Sequence, residues 1–470
     1  MRTSLFLFTW TLAAQVTLPL HTPNPQPPPI TRIVGVAPPM DFQAALSSVT
    51  PGTNLVCSGV FIGNFIFPDV SGVELSGTCT LQSPNTMPAL ANISATNGAG
   101  WRGVITDRAV SDWWITGITI ASSGPIFHAV MISNDCDPTP AGMPSGITFS
   151  DVTVNGIPMA DGQQNGLYLD GANISVLNSS VQHWQSAGLL NVEAQGIEVI
   201  CGTGPYLFRG NTISGISQGI FFAAPGASPT VAASQITPAD ISILGNTVTK
   251  DLSWIGSKYQ AYSKNCMELK NAQRVMIAGN TINNCFPGAQ TGEGILLTPR
   301  MGLGIPSQMF SQVSDVDIVA NQIQAGVGIS VSGLDSFCTQ SMPCVYSSRV
   351  SIVENSLNVS RTPNGIAGSY GWCGQLDGAH GLNWAGNTCT TDGTQSIFIN
   401  SWPCVGCSFS NSTFNADFGA QGIVGPSGLF NGAWCVGTCG NSINTLTFTG
   451  ISPAAFQSEW VSVCSKCVLK

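Results

Sequence analysis

A short phrase of alternating apolar and polar residues recurs ten times between residues 113 and 414. Three clear copies are YLFRGNTI (206–213), ISILGNTV (241–248) and VMIAGNTI (275–282). Successive copies begin 25 to 41 residues apart, and a repeat of this period with loops of variable length is typical of a solenoid. Because the side chains alternate with period two, the phrase predicts a β-strand and not a helix.

An asparagine follows the strand part of the phrase in six copies. These residues are Asn211, Asn246, Asn280, Asn321, Asn355 and Asn387. Asparagine tolerates left-handed backbone angles and forms local hydrogen bonds in turns. Stacked at one bend of successive coils, the amides are expected to hydrogen-bond along the stack as a ladder. We therefore assign these asparagines a structural role and not a catalytic one.

A second strand-like segment lies between each pair of phrases, so the chain coils with two or three strands per turn. Its copies are GLYLDG (166–171), GIEVIC (196–201), GIFFAA (219–224), CMELKN (266–271), GILLTP (294–299), GISVSG (328–333), CGQLDG (373–378) and SIFINS (396–401). The predicted fold class is all-β, a right-handed parallel β-helix. Its predicted caps are a short N-terminal amphipathic helix within residues 40–52 and a Cys-rich C-terminal segment.

These patterns divide the chain into five segments. They are a secretory signal peptide (1–18), a Pro-rich spacer (19–36), an N-terminal cap with the first coils (37–110), the β-helix coils (111–430) and the Cys-rich C-terminal cap (431–470). We expect a secreted or cell-surface protein, with the periplasm as an alternative, and a monomer. A net charge of −9 argues against nucleic acid as a partner, and no segment predicts a membrane span.

The 16 cysteines include seven pairs that lie close in sequence, and in an exported chain they predict local disulfides. The pairs are Cys57 and Cys79, Cys266 and Cys285, Cys338 and Cys344, Cys373 and Cys389, Cys404 and Cys407, Cys435 and Cys439, and Cys464 and Cys467. The last three also have the spacing of zinc ligands, but export favours disulfides. The connectivity does not follow from the sequence.

Two adjoining phrases carry a resemblance to a known family. ELKNAQRVMIAGN (268–280) and AQTGEGILLTPR (289–300) resemble phrases of bacterial exported right-handed parallel β-helix proteins of the pectate-lyase-like superfamily. The similarity covers roughly residues 37 to 430 and is specific across 193–300. The resemblance implies the β-helix fold without implying one activity. One departure is Gly196, which stands after Gln195 where the family tends to carry alanine.

Charged residues point to a candidate site in the same region. Four of the six lysines, from Lys250 to Lys270, fall within 21 residues of an acidic chain. They either solvate an apolar surface or bind an anionic ligand. Strand alternation predicts two outward columns on the second strand. The first runs Tyr168, Glu198, Phe221, Glu268, Leu296, Ser330, Gln375 and Phe398, and the second runs Asp170, Ile200, Ala223, Lys270, Thr298, Ser332, Asp377 and Asn400.

The columns supply the predicted site residues. The catalytic candidates are Glu268, Lys270, Arg300 and Glu198, and the substrate-binding candidates are Lys258, Lys264, Tyr168, Phe221, Gln195 and Asp170. With a rise of about 4.8 Å per coil, Glu198 and Glu268 are expected about 10 Å apart at Cα. No motif singles out a metal position, and Ca²⁺ stays open as a cofactor. The hypothesis requires an open groove and fails if Glu268 and Lys270 form a closed ion pair under a loop.

This constellation favours work on an extracellular or cell-wall polysaccharide. A lyase acting on uronate-containing chains needs a cation for the uronate carboxylate and a base for the C5 proton. A glycoside hydrolase using the two glutamates as its carboxyl pair is an alternative. A glycan-binding or structural protein without catalysis is another, because lysine and glutamate also pair on surfaces without any function.

Overall fold

The structure is a computed structural model of the chain. It describes residues 19, 21–84, 110–133, 143–185, 194–223, 237–299, 311–332, 347–392, 404–416 and 442–449, with the backbone of 106–107, 398–400, 430–432 and 468–469. These residues form a right-handed parallel β-helix with three sheets along its length, which confirms the predicted fold class. Parallel pairing without hairpins follows from the coiling repeat, because each strand pairs with its counterpart one coil away.

Sheet 1 contains fourteen parallel strands among the described residues and carries the first half of each Asn phrase. Its strands are Arg32–Val36, Thr53–Cys57, Val73–Gly77, Trp113–Thr116, Thr148–Ser150, Ile174–Leu177, Tyr206–Arg209, Ala239–Leu244, Ala272–Ala278, Val313–Val319, Ser348–Val353, His380–Ala385, Ser408–Ser410 and Ser442–Asn444. The first strand lies inside the predicted spacer, because the run RIVGV has no proline and can pair. The last strand extends the coil into the predicted C-terminal cap.

Sheet 2 also contains fourteen strands of the described chain and follows sheet 1 across the asparagine bend. They are Val60–Ile62, Thr80–Gln82, Thr119–Ala121, Thr153–Asn155, Ser180–Trp184, Thr212–Ile216, Thr247–Thr249, Thr281–Cys285, Gln322–Ala325, Ser356–Val359, Thr388–Thr391, Thr413–Ala416, Thr447–Thr449 and Val468–Leu469. Each Asn phrase is therefore a pair of strands that meet at a bend, and not one strand.

Sheet 3 is formed by the predicted second strands. Its eight described strands are Thr106–Asp107, Ile126–Ile132, Gln163–Leu169, Gln195–Val199, Gln218–Phe222, Met267–Leu269, Glu293–Leu297 and Val327–Val331. Three further strands, Gly374–Gln375, Phe398–Asn400 and Phe430–Gly432, pair with one another beyond it. A parallel bridge from Val327 to Trp372 links the two groups.

The interior is a continuous apolar core between the three sheets. In sheet 3, one inward column runs in register through Leu167, Ile197, Ile220, Met267 and Ile295, all fully buried. Each such side chain contributes roughly 1.5–3 kcal/mol through burial. The alternation read from the sequence is thereby confirmed for the inward faces.

A single α-helix among the described residues, Phe42–Ser47, lies near the start of the coil. Asp41 caps it by accepting a hydrogen bond from the Ala44 N–H at 3.1 Å. Phe42 packs its ring 4.9 Å from those of Phe61 and Phe65 in the first coils. The predicted N-terminal helix is confirmed. No helix in the described part of the chain is long and apolar enough to cross a membrane. Three short 3₁₀ helices, Leu252–Trp254, Lys258–Tyr262 and Pro363–Gly365, lie in loops.

The six predicted asparagines form the expected ladder, here called the asparagine ladder. Asn246 Nδ2 donates to Asn280 Oδ1 at 3.0 Å, and the Asn246 backbone N–H donates to the same oxygen at 2.8 Å. The other rungs repeat this pattern. Each Nδ2 also donates to a carbonyl of sheet 1. A serine closes each end, Ser179 at one and Ser412 at the other.

Four of the predicted disulfides lie among the described residues and are confirmed. They are Cys57–Cys79, Cys266–Cys285, Cys373–Cys389 and Cys404–Cys407. The remaining three pairs, from Cys338 onward, lie outside the described residues. Cys201 is also disulfide-bonded. The bonded Cys404–Cys407 pair excludes the zinc interpretation at that position, because a disulfide leaves no thiolate to bind a metal.

Charged side chains also stack, at a bend that the sequence analysis did not single out. Arg274 pairs with Asp240 through two nitrogens, at 2.8 and 3.1 Å, and Arg349 pairs with Asp315 in the same way, at 2.5 and 2.7 Å. The four residues occupy equivalent positions near the start of sheet 1 strands in successive coils. The Arg349 guanidinium lowers the pKa of the Asp315 carboxyl. Arg274 therefore belongs to the scaffold and not to the candidate site.

Candidate functional site

The outer face of sheet 3 carries the predicted first column. Strand register pairs Tyr168 with Glu198, Glu198 with Phe221, and Phe221 with Glu268, and it continues to Leu296. Glu198 and Glu268 are thus two coils apart, as predicted. Beyond Gln375 the column was predicted wrongly: Gln375 pairs with Ile399, and Phe398 pairs with Gly374. The alternation of SIFINS alone cannot exclude a shift of one residue.

Glu268 is buried, with only 1% of the residue exposed. Its Oε2 accepts hydrogen bonds from Gln218 Nε2 at 2.5 Å and from Asn265 Nδ2 at 3.1 Å. Its Oε1 lies 3.7 Å from Lys270 Nζ. Two amide donors and one cation therefore surround a carboxylate that a substrate cannot touch directly in this conformation.

Lys270 is the part of this pair that reaches the surface, with 12% of its side chain exposed. Its Nζ lies 4.6 Å from the centre of the Phe221 ring, a cation–π contact. The ammonium is thus held between a buried carboxylate and an aromatic face. The ion pair is therefore nearly closed, and only a small part of the Lys270 side chain is accessible to a ligand.

Glu198 occupies the equivalent outward position two coils before Glu268. It is buried, and its Oε2 accepts a hydrogen bond from Asn165 Nδ2. Phe221 separates the two glutamates along the column, and Tyr168 lies half-buried on the other side of Glu198. The column therefore alternates aromatic and acidic side chains over four coils.

A second outward row runs beside this column and was largely missed by the sequence analysis. This sheet-3 polar row consists of Asn165, Gln195, Gln218, Asn265 and Glu293. Each member stands three residues before a member of the first column, and four of the five precede a glycine. That recurrent polar–Gly pair is the sequence signal that could have located the row. At Gly196 a side chain would collide with Ile213 at 2.7 Å, so only glycine fits.

Hydrogen bonds orient the amides of the polar row in one direction. Gln195 Nε2 donates to Gln218 Oε1 at 3.4 Å, and Gln218 in turn donates to Glu268. Because the two glutamates accept from the amide nitrogens, the amide oxygens point elsewhere. Four buried oxygens of the row have no hydrogen-bond partner among the described residues. They are Asn165 Oδ1, Gln195 Oε1, Asn265 Oδ1 and Glu293 Oε2.

Asp170, a predicted substrate-binding residue, is fully buried. Its Oδ1 accepts from the backbone N–H groups of Ile200 at 2.7 Å and Cys201 at 2.9 Å. Burial raises the pKa of the Asp170 carboxyl to about 7, although these N–H groups and the side chains of Tyr168 and Ser133 lower it. Asp170 therefore ties neighbouring coils together beneath the surface.

The three other lysines of the cluster lie at the corner between sheets 2 and 3. Lys250 is buried, and its Nζ donates to Ser217 O at 2.9 Å, to Ser263 Oγ at 2.7 Å and to Lys264 O. Burial lowers the pKa of the Lys250 ammonium. Lys258 Nζ pairs with Asp161 at 2.7 Å. Lys250 and Lys258 thus fasten the loop that joins the two sheets.

This corner loop packs on a small apolar cluster outside the main core. The cluster contains Trp254, Tyr259, Phe286 and Ile366, which come from three separate loops. Among the described residues, no three His, Cys, Asp or Glu side chains lie together as metal ligands. Arg300 lies outside the described residues.

No protein-family model matches the chain, and no curated protein matches it. Among solved structures it is similar to the tailspike protein of E. coli bacteriophage HK620 in complex with a pentasaccharide (12% identity, TM-score 0.45, 94% of this chain and 73% of that chain). It is also similar to the Dettilon tailspike protein (13%, 0.41, 89% and 62%) and to pectate lyase Pel9A (13%, 0.34, 82% and 78%). The chain therefore spans 62% of the length of the Dettilon protein.

Proposed function

We propose that this chain cleaves an acidic, uronate-containing polysaccharide by β-elimination on the outer face of sheet 3. One observation carries the proposal: the Lys270 ammonium lies between the Glu268 carboxylate and the Phe221 ring, and 12% of the Lys270 side chain is exposed. A lysine on a face of an otherwise acidic protein suits the carboxylate of a uronate. The partner is accordingly a polysaccharide.

The proposed reaction uses groups on neighbouring coils. Lys270 binds the uronate carboxylate and thereby makes the adjacent C5 proton more acidic. The Glu198 carboxylate takes that proton, the electron pair forms the C4–C5 double bond, and the C4–O bond breaks. The leaving oxygen then takes a proton from water. Glu268 and the buried Phe221 ring act as positioning residues that hold Lys270, and the half-buried Tyr168 supports a sugar ring.

The remaining predicted residues have supporting roles in this proposal. Arg300, Lys264 and Lys258 are proposed to attract the polyanion from the corner loop and the next coil. Gln195 acts through Gln218 on the orientation of Glu268. The confirmed disulfides support work outside the cytosol, since such bonds persist in oxidising compartments.

The test is an assay of the purified full chain against a panel of uronate polysaccharides, with and without Ca²⁺. Ultraviolet absorbance of unsaturated uronate ends and total reducing ends are recorded separately. We expect both to rise together, and we expect Lys270→Met to abolish both. Arg32→Met is the matched control, because Arg32 is an exposed cation on the first strand of sheet 1, and it keeps most activity. Absence of unsaturated ends across the panel contradicts the proposal.

Hydrolysis is the second candidate, and the two-coil spacing of Glu198 and Glu268 favours it. Coils about 4.8 Å apart place the two backbones roughly 10 Å apart, near the separation of carboxyl groups in inverting enzymes. Both glutamates are buried in this conformation, so either reaction requires its catalytic carboxyl to become accessible when the substrate binds. Reducing ends without unsaturation, lost in Glu268→Gln, would favour hydrolysis. Glycan binding without either product would favour a binding protein.

A further inference from the structure

Two aromatic rings lie stacked and exposed beyond the Lys270 site. The ring centres of Tyr370 and Trp372 are 4.0 Å apart, and their planes differ by 4°. Tyr370 is 46% exposed, and Trp372 is half-buried. The inner face of Tyr370 contacts Trp372, so its outer face is the open one. An exposed, flat apolar surface of this kind is uncommon unless it binds something.

The pair belongs to the same face of the β-helix as the candidate site. Trp372 pairs with Val327, and Val327 pairs with Glu293, so Trp372 continues the line of the polar row. Gln375 follows in the outward column, three coils beyond Glu268, which is about 14 Å along the stack. A long ligand that lies along this face passes both places.

Polar groups suited to hydroxyls accompany the rings. Gln375 is half-buried, and its Nε2 donates to the Asp377 carboxylate. An aromatic face beside an amide and a carboxylate matches a pyranose ring, whose C–H face is apolar and whose edge carries hydroxyls. A nucleic acid fits poorly, because the adjacent carboxylate and the net charge of −9 repel phosphates.

The platform is held rigid from several sides. Ser369 Oγ donates to Thr291 O at 2.9 Å, and the Gly371 N–H donates to Gly326 O at 2.9 Å. The Cys373–Cys389 disulfide anchors the next residue to sheet 2. A surface that is already ordered loses little entropy when a ligand binds. The Tyr370–Trp372 pair is therefore already ordered before a ligand binds, as expected of a preformed subsite.

We propose that the Tyr370–Trp372 pair is a distal subsite that stacks on a pyranose ring of the polysaccharide held at Lys270. The glycan assignment rests on the proposed function. Stacking on Tyr370 adds binding for chains long enough to reach three coils past Glu268. Shorter oligomers bind at Lys270 alone. The subsite therefore gives the protein a preference for long chains and contributes no group to the bond-breaking step.

The test is calorimetric titration of the full chain with di- and hexasaccharides of galacturonate and with neutral gluco-oligosaccharides of the same lengths. We expect Tyr370→Ala to weaken hexasaccharide binding about tenfold. Disaccharide binding should not change. Tyr370→Phe should retain wild-type affinity, because the ring and not the hydroxyl stacks. Leu252→Ala is the matched control, a 47% exposed apolar residue on another loop, and should change nothing.

The outcomes separate this inference from the proposed function. Equal hexasaccharide affinity of wild type and Tyr370→Ala, with circular dichroism showing both folded, overturns the subsite. Binding of neutral hexasaccharide alone, weakened by Tyr370→Ala, supports the subsite and contradicts the acidic substrate. Loss of activity in Lys270→Met with no length dependence in Tyr370→Ala supports the proposed function and overturns the subsite. No binding of any glycan overturns both.

Discussion

The asparagine ladder and the sheet-3 polar row are both stacks of buried amides, but they differ in how completely their polar atoms are hydrogen-bonded. In the ladder each rung donates to the next and to a carbonyl, and serines close the ends. In the polar row four oxygens have no partner within the described part of the chain. Buried polar atoms without partners cost free energy, and a fold tolerates them mainly where a ligand, an ion or water completes them.

The difference arises from the carboxylates beside the polar row. Glu198 accepts from Asn165, and Glu268 accepts from Gln218 and Asn265, so those amide nitrogens are committed. Their oxygens therefore cannot turn to form a closed ladder. A stack of amides alone closes into a ladder, whereas the same kind of stack beside acids directs its amide nitrogens to the carboxylates. Within one repeat, the contrast distinguishes the structural asparagine ladder from the polar row of the proposed functional face.

The largest effect is expected in the ladder, for Asn280→Ala. The change removes bonds to Asn246, Asn321 and the Ile243 carbonyl and leaves buried donors unpaired. We expect the free energy of unfolding to fall by about 5 kcal/mol. Urea unfolding followed by circular dichroism measures it. Asn283→Ala, a half-buried asparagine on the outer side of sheet 2, is the control. A loss no greater than that of the control would show that the ladder does not stabilise the folded protein.

Asp170 is a third case. Its carboxyl is buried and accepts hydrogen bonds, but burial still raises its pKa. Its folded pKa of about 7 lies above the usual 3.8, so the folded state binds more protons between these values. Stability should then fall as pH rises from about 4 to about 7, by a total on the order of 4 kcal/mol. Asp170→Asn keeps an oxygen for Ile200 and Cys201 and should flatten this slope. An unchanged slope in urea unfolding across this range would show that Asp170 is not its source.

The smallest effect is expected in the polar row, for Gln195→Met. This change removes one long hydrogen bond, 3.4 Å to Gln218, together with an oxygen that lacks a partner. The losses and gains nearly cancel, so the free energy of unfolding should change by about 1 kcal/mol or less. The same urea experiment measures it. A loss comparable to that of Asn280→Ala would mean that the row, like the ladder, is scaffold.

The periodic parts of this molecule followed from the sequence. Alternation around Leu167 and Ile197 marks the inward face, and the recurrent asparagine marks the bend, because both depend on local geometry repeated in every coil. The same reasoning placed Glu268 outward. It did not reveal that Glu268 is buried, since exposure depends on neighbouring side chains and loops that share no period with the coil.

Lys250 illustrates the same limit. As a lysine in a cluster it was read as part of a cationic surface, but it is buried and donates to acceptors from several loops. The polar row was missed because attention went to charges, although its polar–Gly pattern recurs in four of the five coils from Asn165 to Glu293. The catalytic and substrate-binding roles remain predictions, because they depend on a ligand and not on the fold.

The most direct test of the contrast is uronate turnover per folded molecule in Gln195→Met and Asn280→Ala. The account predicts that Gln195→Met lowers turnover about tenfold, because the orientation of Glu268 and Lys270 depends on Gln218, while its stability is unchanged. It predicts that Asn280→Ala is less stable but turns over like wild type at temperatures where it is folded. Wild-type turnover in Gln195→Met, or lost turnover in folded Asn280→Ala, would contradict the division between scaffold and functional face.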